Sequence, residues 1–171
     1  MQESPYLDGR EFLVEKFHKL PFLGAIHDNH IKKILKLSKI RKYENGEVIT
    51  PEGAFDNWVY ILLSGVVNVI KDEKIIATLD EIGETFGELA VIDGKSRSAS
   101  VQACGETVCL AIDASFMEKT SEPLDQVLFV SILYRLFAEV IAHRLRTSNE
   151  ELIRLRTEVE RLTKENNRNP K

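Results

Sequence analysis

The stretch WVYILLSGVVNVIKDEKIIATL, Trp58 to Leu79, decides the fold class. It contains three short apolar and β-branched runs, Trp58 to Leu63, Val66 to Ile70 and Ile75 to Leu79, parted by Ser64-Gly65 and by the charged turn Lys71-Asp72-Glu73-Lys74. Runs of this length with turn residues between them read as antiparallel strands joined by hairpins. The same pattern continues on both sides. Asn45-Gly46 and Glu52-Gly53 punctuate the chain from Tyr43 onward, and Ser98 to Ala103 and Val108 to Ile112 flank Gly105-Glu106. So dense a series of short strands suits a closed barrel or jelly roll.

Outside this region the pattern is helical. Over residues 1–40, Asp8 and Glu11 have the spacing of a capping box, and Ile31, Ile34, Leu35 and Leu37 form an apolar stripe behind a cap at Asp28. Pro21 should part the two helices. Helical character returns after Asp113, with Ser121 as N-cap, Glu122 and Pro123 in the first turn, and good helix formers from Leu124 to about Glu165. A helix of about forty residues is ~60 Å long, too long to pack along its whole length on a small barrel. The expected organisation is N-terminal helices over 1–40, a β-roll over 41–113, and C-terminal helices over 114–171.

With 171 residues, 43% of them apolar, the chain can build one core. A net charge of −4, from 23 basic and 27 acidic residues, argues against coating nucleic acid or an anionic membrane through bulk electrostatics. No apolar run approaches membrane-spanning length and MQESPYLDGREF lacks the character of a signal peptide, so a cytoplasmic location is expected. Cys104 and Cys109 lie in a strand-like segment at a spacing that matches no common zinc pattern, and read as reduced thiols. The histidines are scattered, with His27 and His30 reading as a helix start, so neither a metal site nor an enzyme is expected.

One interval departs from plain strand grammar. Residues 80–97, DEIGETFGELAVIDGKSR, hold three of the nine glycines. Gly87-Glu88-Leu89-Ala90 reads as a helical turn whose backbone N–H groups point toward an anion, and Arg97 can offer a planar fork of donors to a phosphate. The Glu88 carboxylate would repel that phosphate, so the two charges must meet different parts of one ligand. A sugar phosphate answers both, its ribose hydroxyl donating to Glu88 and its cyclic phosphate accepting from Arg97 and the turn; Ser98 adds a short donor. On this reading the opposite charges of Glu88 and Arg97 are tolerated in a buried site because a ligand lies between them.

Phe86-Gly87-Glu88-Leu89-Ala90, followed at the usual interval by Arg97-Ser98-Ala99, resembles the phosphate-binding cassette of the cyclic nucleotide-binding domain family, to which the bacterial catabolite activator and the regulatory subunits of cyclic AMP-dependent kinase belong. The likeness extends through Tyr43 to Ile70 and covers roughly Ile31 to Glu150. It implies an α+β fold, with an eight-stranded antiparallel β-roll of the jelly-roll barrel type flanked by helices. It also implies that Glu88 takes the ribose 2′-hydroxyl, that Arg97 takes the equatorial phosphate oxygen, and that Phe86, Gly87, Leu89, Ala90, Ser98 and Ala99 line the cassette at 86–99. Ile82-Gly83-Glu84 departs from the Pro-Gly-Asp that relatives often carry, a difference expected to alter a turn.

Written as heptads, the C-terminal segment places Ala138, Leu145, Leu152 and Val159 at position a, and Ile141, Ser148, Leu155 and Leu162 at position d, a coiled-coil seam suited to a parallel homodimer. Ser148 is polar within that seam. His143-Arg144-Leu145-Arg146-Thr147-Ser148-Asn149 resembles the central helix of the catabolite activator, which implies that Ser148 and Asn149 reach the adenine amino group and that Arg144 falls near the phosphate. Cyclic AMP is the expected ligand. Cyclic GMP stays open, because Ser98 can also bond the 2-amino group of a guanine. The sequence ends in KENNRNPK without a helix-turn-helix, so direct DNA binding is not expected. Three readings follow: a dimeric sensor relaying occupancy to a protein effector of unknown identity, a regulatory fragment of a larger receptor, or a degenerate barrel serving only for dimerisation or docking.

Overall fold

Of the hairpins expected around Ser64-Gly65 and Asp72-Glu73 only the second forms, because at Ser64-Gly65 the chain passes from one sheet to the other. β4 (Trp58–Ser64), β5 (Val67–Lys71) and β6 (Lys74–Leu79) run in sequence order, and β5 pairs with β6 from Val67↔Leu79 to Lys71↔Lys74. Asp72 and Glu73 take φ values of 48° and 62°, the left-handed pair that a two-residue hairpin of this twist requires. At Gly65 a side chain is excluded as well, because a Cβ there would lie 2.7 Å from the Thr107 Cα. The computed structural model describes residues 1–20, 23–24, 26–115 and 123–168; Pro21, Ser121 and Glu122, expected at helix boundaries, lie outside them.

The described strands number nine and form two antiparallel sheets. Besides β4 to β6 they are β1 (Gln2–Glu3), β2 (Ser38–Tyr43), β3 (Val48–Thr50), β7 (Thr85–Phe86), β8 (Ser100–Ala103) and β9 (Thr107–Asp113). One sheet has the order β1-β2-β9-β4-β7 and the other β3-β8-β5-β6. The two sheets are the antiparallel β-roll expected, with nine described strands in place of eight and no closed barrel among the described residues. The added strand is the polar pair Gln2–Glu3, which pairs with Lys42 and Arg41 on the edge of β2 and carries no apolar signal to betray it. Between the sheets lie Tyr43, Tyr60, Leu62, Val67, Leu79, Phe86, Val101 and Cys109, residues that alternate along their strands as a two-layer core demands.

The N-terminal segment is less helical than expected. A 3-10 turn (Glu11–Leu13) leads into α1 (Val14–Phe17), and α2 spans Asp28–Lys36. Ile31, Ile34 and Leu35 are its buried face, as the stripe predicts, but the N-cap is His27, whose Nδ1 accepts from the Asn29 N–H at 3.4 Å. Asp28 sits inside the first turn, where its carboxylate meets His18 Nε2 at 2.8 Å. Ser38 to Ile40, expected at the end of the helices, open β2 instead. The N-terminal strand is fixed by charge: Glu3 accepts from Lys39 Nζ and from Arg41 Nε, each at 2.6 Å.

The last two helices are α3 (Glu88–Asp93) and α4 (Pro123–Arg168). Met1–Tyr134 form one compact unit and Arg135–Lys171 a second. With 46 residues, α4 is about 69 Å long. From Leu145 to Lys164 its described side chains are all exposed, including the seam residues Leu145, Leu152, Leu155, Val159 and Leu162. None of the described helices is long and apolar enough to cross a membrane.

Candidate functional site

Gly87 is the pivot of the cassette. Strand β7 delivers the chain to it, with Phe86 buried and its ring stacked on Tyr60 at a centroid distance of 5.0 Å and an interplanar angle of 9°. Phe86 thereby anchors the cassette to the core. Gly87 then turns with φ 84° and becomes the N-cap of α3, which runs to Asp93 and is closed by Gly94 at φ 66°. The expected helical turn is therefore the first turn of a six-residue helix. A Cβ on Gly87 would come within 2.6 Å of Arg97 Nη1 and 2.9 Å of the Trp58 carbonyl, so only glycine lets the three segments meet.

Both charged residues of the cassette are buried, Glu88 with 2% and Arg97 with 4% of their surface exposed. Burying a guanidinium demands a fixed counter-charge and accepted hydrogen bonds. Arg97 has both within the protein. Its Nε donates to Asp56 Oδ2 at 3.1 Å and its Nη2 to Asp56 Oδ1, in a bidentate ion pair. Nη1 donates to the Gly87 carbonyl at 2.6 Å and Nη2 also to the Trp58 carbonyl at 2.5 Å. These bonds use four of the five N–H donors of a guanidinium and leave the second hydrogen on Nη1.

Asp56 is itself held in place. Its Oδ1 accepts from the Trp58 N–H at 3.0 Å, closing a local turn. The loop that carries it is tied to Arg97 by backbone as well, through Arg97 N–H to the Ala54 carbonyl and Gly53 N–H to the Arg97 carbonyl, both at 2.8 Å. Behind this loop the Arg41 guanidinium lies 3.9 Å from the Trp58 ring centroid, and its Nη1 donates to Tyr60 Oη at 2.9 Å. Burial pushes the Tyr60 phenol above its ordinary range, against the pull of the Arg41 charge. The route from Arg41 through Trp58 to Arg97 is thus one packed and hydrogen-bonded group.

This arrangement corrects one expectation. No ligand between Glu88 and Arg97 is needed to make the buried guanidinium tolerable, because Arg97 is answered by Asp56 and two carbonyls. Among the described residues, no buried side-chain nitrogen or oxygen lacks a hydrogen-bond partner. Sequence reading missed Asp56, 41 residues away along the chain.

Around this pair, Ala90 is buried, Ala99 partly so, and Leu89 and Ser98 are exposed at the surface of the cassette. Gly87 and Arg97 are in direct contact, and Glu88 opens the helix beside them. Arg144, Ser148 and Asn149 belong to α4 beyond Arg135, and Ser148 and Asn149 are exposed there. No cluster of three or more His, Cys, Asp or Glu among the described residues could hold a metal ion.

Residues 40–122 match the family model described as the cyclic nucleotide-binding domain. The chain carries a cyclic nucleotide-binding domain. Its sequence is similar to the rat cGMP-dependent protein kinase 2, with 26% identity over 121 residues, covering 68% of this chain and 16% of the kinase. It is also similar to the Drosophila melanogaster cAMP-dependent protein kinase type II regulatory subunit, with 31% identity over 119 residues, covering 67% of this chain and 31% of the subunit. The chain therefore spans less than a third of these curated relatives. Its fold is similar to that of a cyclic nucleotide-binding domain from Methylobacillus flagellatus, with a TM-score of 0.71, 20% identity and 87% of each chain covered. The two antiparallel sheets of this chain follow that fold.

Proposed function

We propose that the chain is a regulatory sensor that binds a cyclic nucleotide at the 86–99 cassette, cyclic AMP in the first instance, and pairs with a second copy through α4. The observation that carries this reading is the buried Arg97 guanidinium, aimed by Asp56, Gly87 and Trp58 at the N-terminal end of α3. There the N–H groups of the first helical turn and the remaining hydrogen on Nη1 can both be accepted by a phosphate. Because Asp56 neutralises part of the Arg97 charge, the helix N–H groups and the Ser98 hydroxyl must supply much of the phosphate affinity. Glu88 supplies an acceptor for a ribose hydroxyl.

The preference for cyclic AMP rests on Ser148 and Asn149, a hydroxyl and an amide able to accept from an adenine amino group, with Arg144 toward the phosphate. Leu145, Leu152, Leu155, Val159 and Leu162 are exposed along one helix, and a parallel partner helix would cover them. In the parallel arrangement Glu151 faces Arg156 of the other copy, whereas an antiparallel one sets glutamates at 151, 158 and 165 against one another. Occupancy would shift the helix equilibrium by the difference in affinity between its two arrangements, and an effector protein would read that shift. The role is binding and regulation, not catalysis, in the cytoplasm.

Calorimetric titration with cyclic AMP and with cyclic GMP tests the reading. Saturable heat with the native chain, tighter for cyclic AMP and lost in Arg97→Ala, is the expected result. Absence of heat with both nucleotides would leave only a docking or dimerisation module.

A further inference from the structure

A second concave feature lies away from the cassette, between the turn at residues 7–10 and α2. It is a cavity of about 550 Å³, a size that suits a small ligand. Leu7 and Leu35, both buried, form its apolar base. Among its described lining residues the charge is one-sided, with Arg10, Lys32, Lys33 and Lys36 against the single acid Asp8. The chain as a whole carries −4, so this concentration of cations runs against the overall balance and is not a sample of it.

The cations are spread along the cleft. Lys32 and Lys36 stand one helical turn apart, about 6 Å along the axis, and Arg10 enters from the opposite wall. A short chain of phosphates can meet Lys32, Lys36 and Arg10 together, whereas a single phosphate group reaches fewer of them at once. Asp8 and Lys36 bridge the walls with an ion pair of 3.7 Å, so the acid acts as an internal competitor for the site.

We propose that this cleft binds a small oligophosphate, inorganic or carried on a nucleotide, at a site separate from the cassette. The assignment does not depend on what the cassette binds. It distinguishes a ligand with several linked phosphates from orthophosphate, and a small polyanion from an acidic peptide.

The test titrates the full chain with sodium tripolyphosphate, orthophosphate, ATP and an octaglutamate peptide, and maps each by amide chemical shifts. The expected result is saturable tripolyphosphate binding with shifts confined to residues 7–10 and 27–36, and orthophosphate weaker by about tenfold or more. ATP matching tripolyphosphate at the same residues assigns recognition to the phosphate chain alone. Lys32→Glu and Lys36→Glu should each weaken binding by about tenfold, whereas Lys74→Glu, an equal charge change on the β5–β6 hairpin, should leave it within about twofold. Asp8→Asn should tighten binding, an effect that damage to the fold would not produce. The proposal is overturned if orthophosphate binds as well as tripolyphosphate, if octaglutamate binds more tightly, if Lys74→Glu weakens binding as much as Lys36→Glu, or if the shifts fall on residues 86–99.

Discussion

Arg97 and Asp56 form a bidentate ion pair across the mouth of the cassette, with the guanidinium buried and the carboxylate partly reached by solvent. The pair converts a mobile cation into a fixed donor before any ligand arrives. Asp56 is thereby a positioning residue for Arg97 and, on the proposed function, acts on the phosphate site without touching the ligand.

Removing Asp56 leaves a buried cation with only neutral acceptors. Asp56→Ala is expected to lower unfolding stability by about 2 to 3 kcal/mol, read as a drop in the urea midpoint at unchanged slope. Asp56→Asn keeps the Trp58 N–H contact and one Arg97 bond, and should recover part of that loss. Equal stability of Asp56→Ala and the native chain would show that the pair contributes nothing.

Gly87 is held in the left-handed region with Arg97 Nη1 where a Cβ would be. Gly87→Ala should therefore cost about 1 to 2 kcal/mol in thermal unfolding and also weaken nucleotide binding by an order of magnitude or more, because the guanidinium must move. Gly46→Ala, at an open turn with positive φ and no crowding, should show the stability loss without the binding loss.

Much of this organisation is legible in the sequence, and the gaps have physical causes. Asp72-Glu73 marks a hairpin because its backbone demand is local, whereas Ser64-Gly65 marks a turn whose flanking strands join different sheets, which the local sequence does not tell. Phe86 to Ala90 and Arg97 to Ala99 carry the cassette as a contiguous pattern. Ser38 to Tyr43, SKIRKY, does not announce a strand, since its lysines and arginine are only half-buried, and Lys39 and Arg41 pair with Glu3 from a strand of two residues. Asp56 escapes notice for a related reason: it sits beside the exposed Phe55 in a polar loop, and only folding brings it to Arg97. Residues whose role lies in long-range pairing leave no periodic trace.

The two thiols should differ in reactivity. Burial pushes Cys109 up to about 12, whereas Cys104 is exposed. A thiol with a raised value remains protonated, and so unreactive, until the pH approaches that value. At pH 8 a disulfide reagent should therefore titrate Cys104 in the native chain and reach Cys109 only after denaturation. Rapid modification of both without unfolding would contradict the packing of the sheet core.

The exposed seam on α4 makes a prediction about assembly. The chain should sediment as a dimer at micromolar concentration, and Leu152→Glu with Leu155→Glu should give a monomer with an unchanged β-sheet spectrum. A native chain that stays monomeric at high micromolar concentration would exclude the paired helix.

The central claim is that a cyclic phosphate is held between Arg97 and the first turn of α3. Amide spectra recorded with and without saturating cyclic AMP test it most directly. Large shifts of the Glu88, Leu89 and Ala90 N–H groups and of the Arg97 Nε–H are predicted, with smaller changes elsewhere in the sheets. Saturable binding that left these four signals in place would contradict the account.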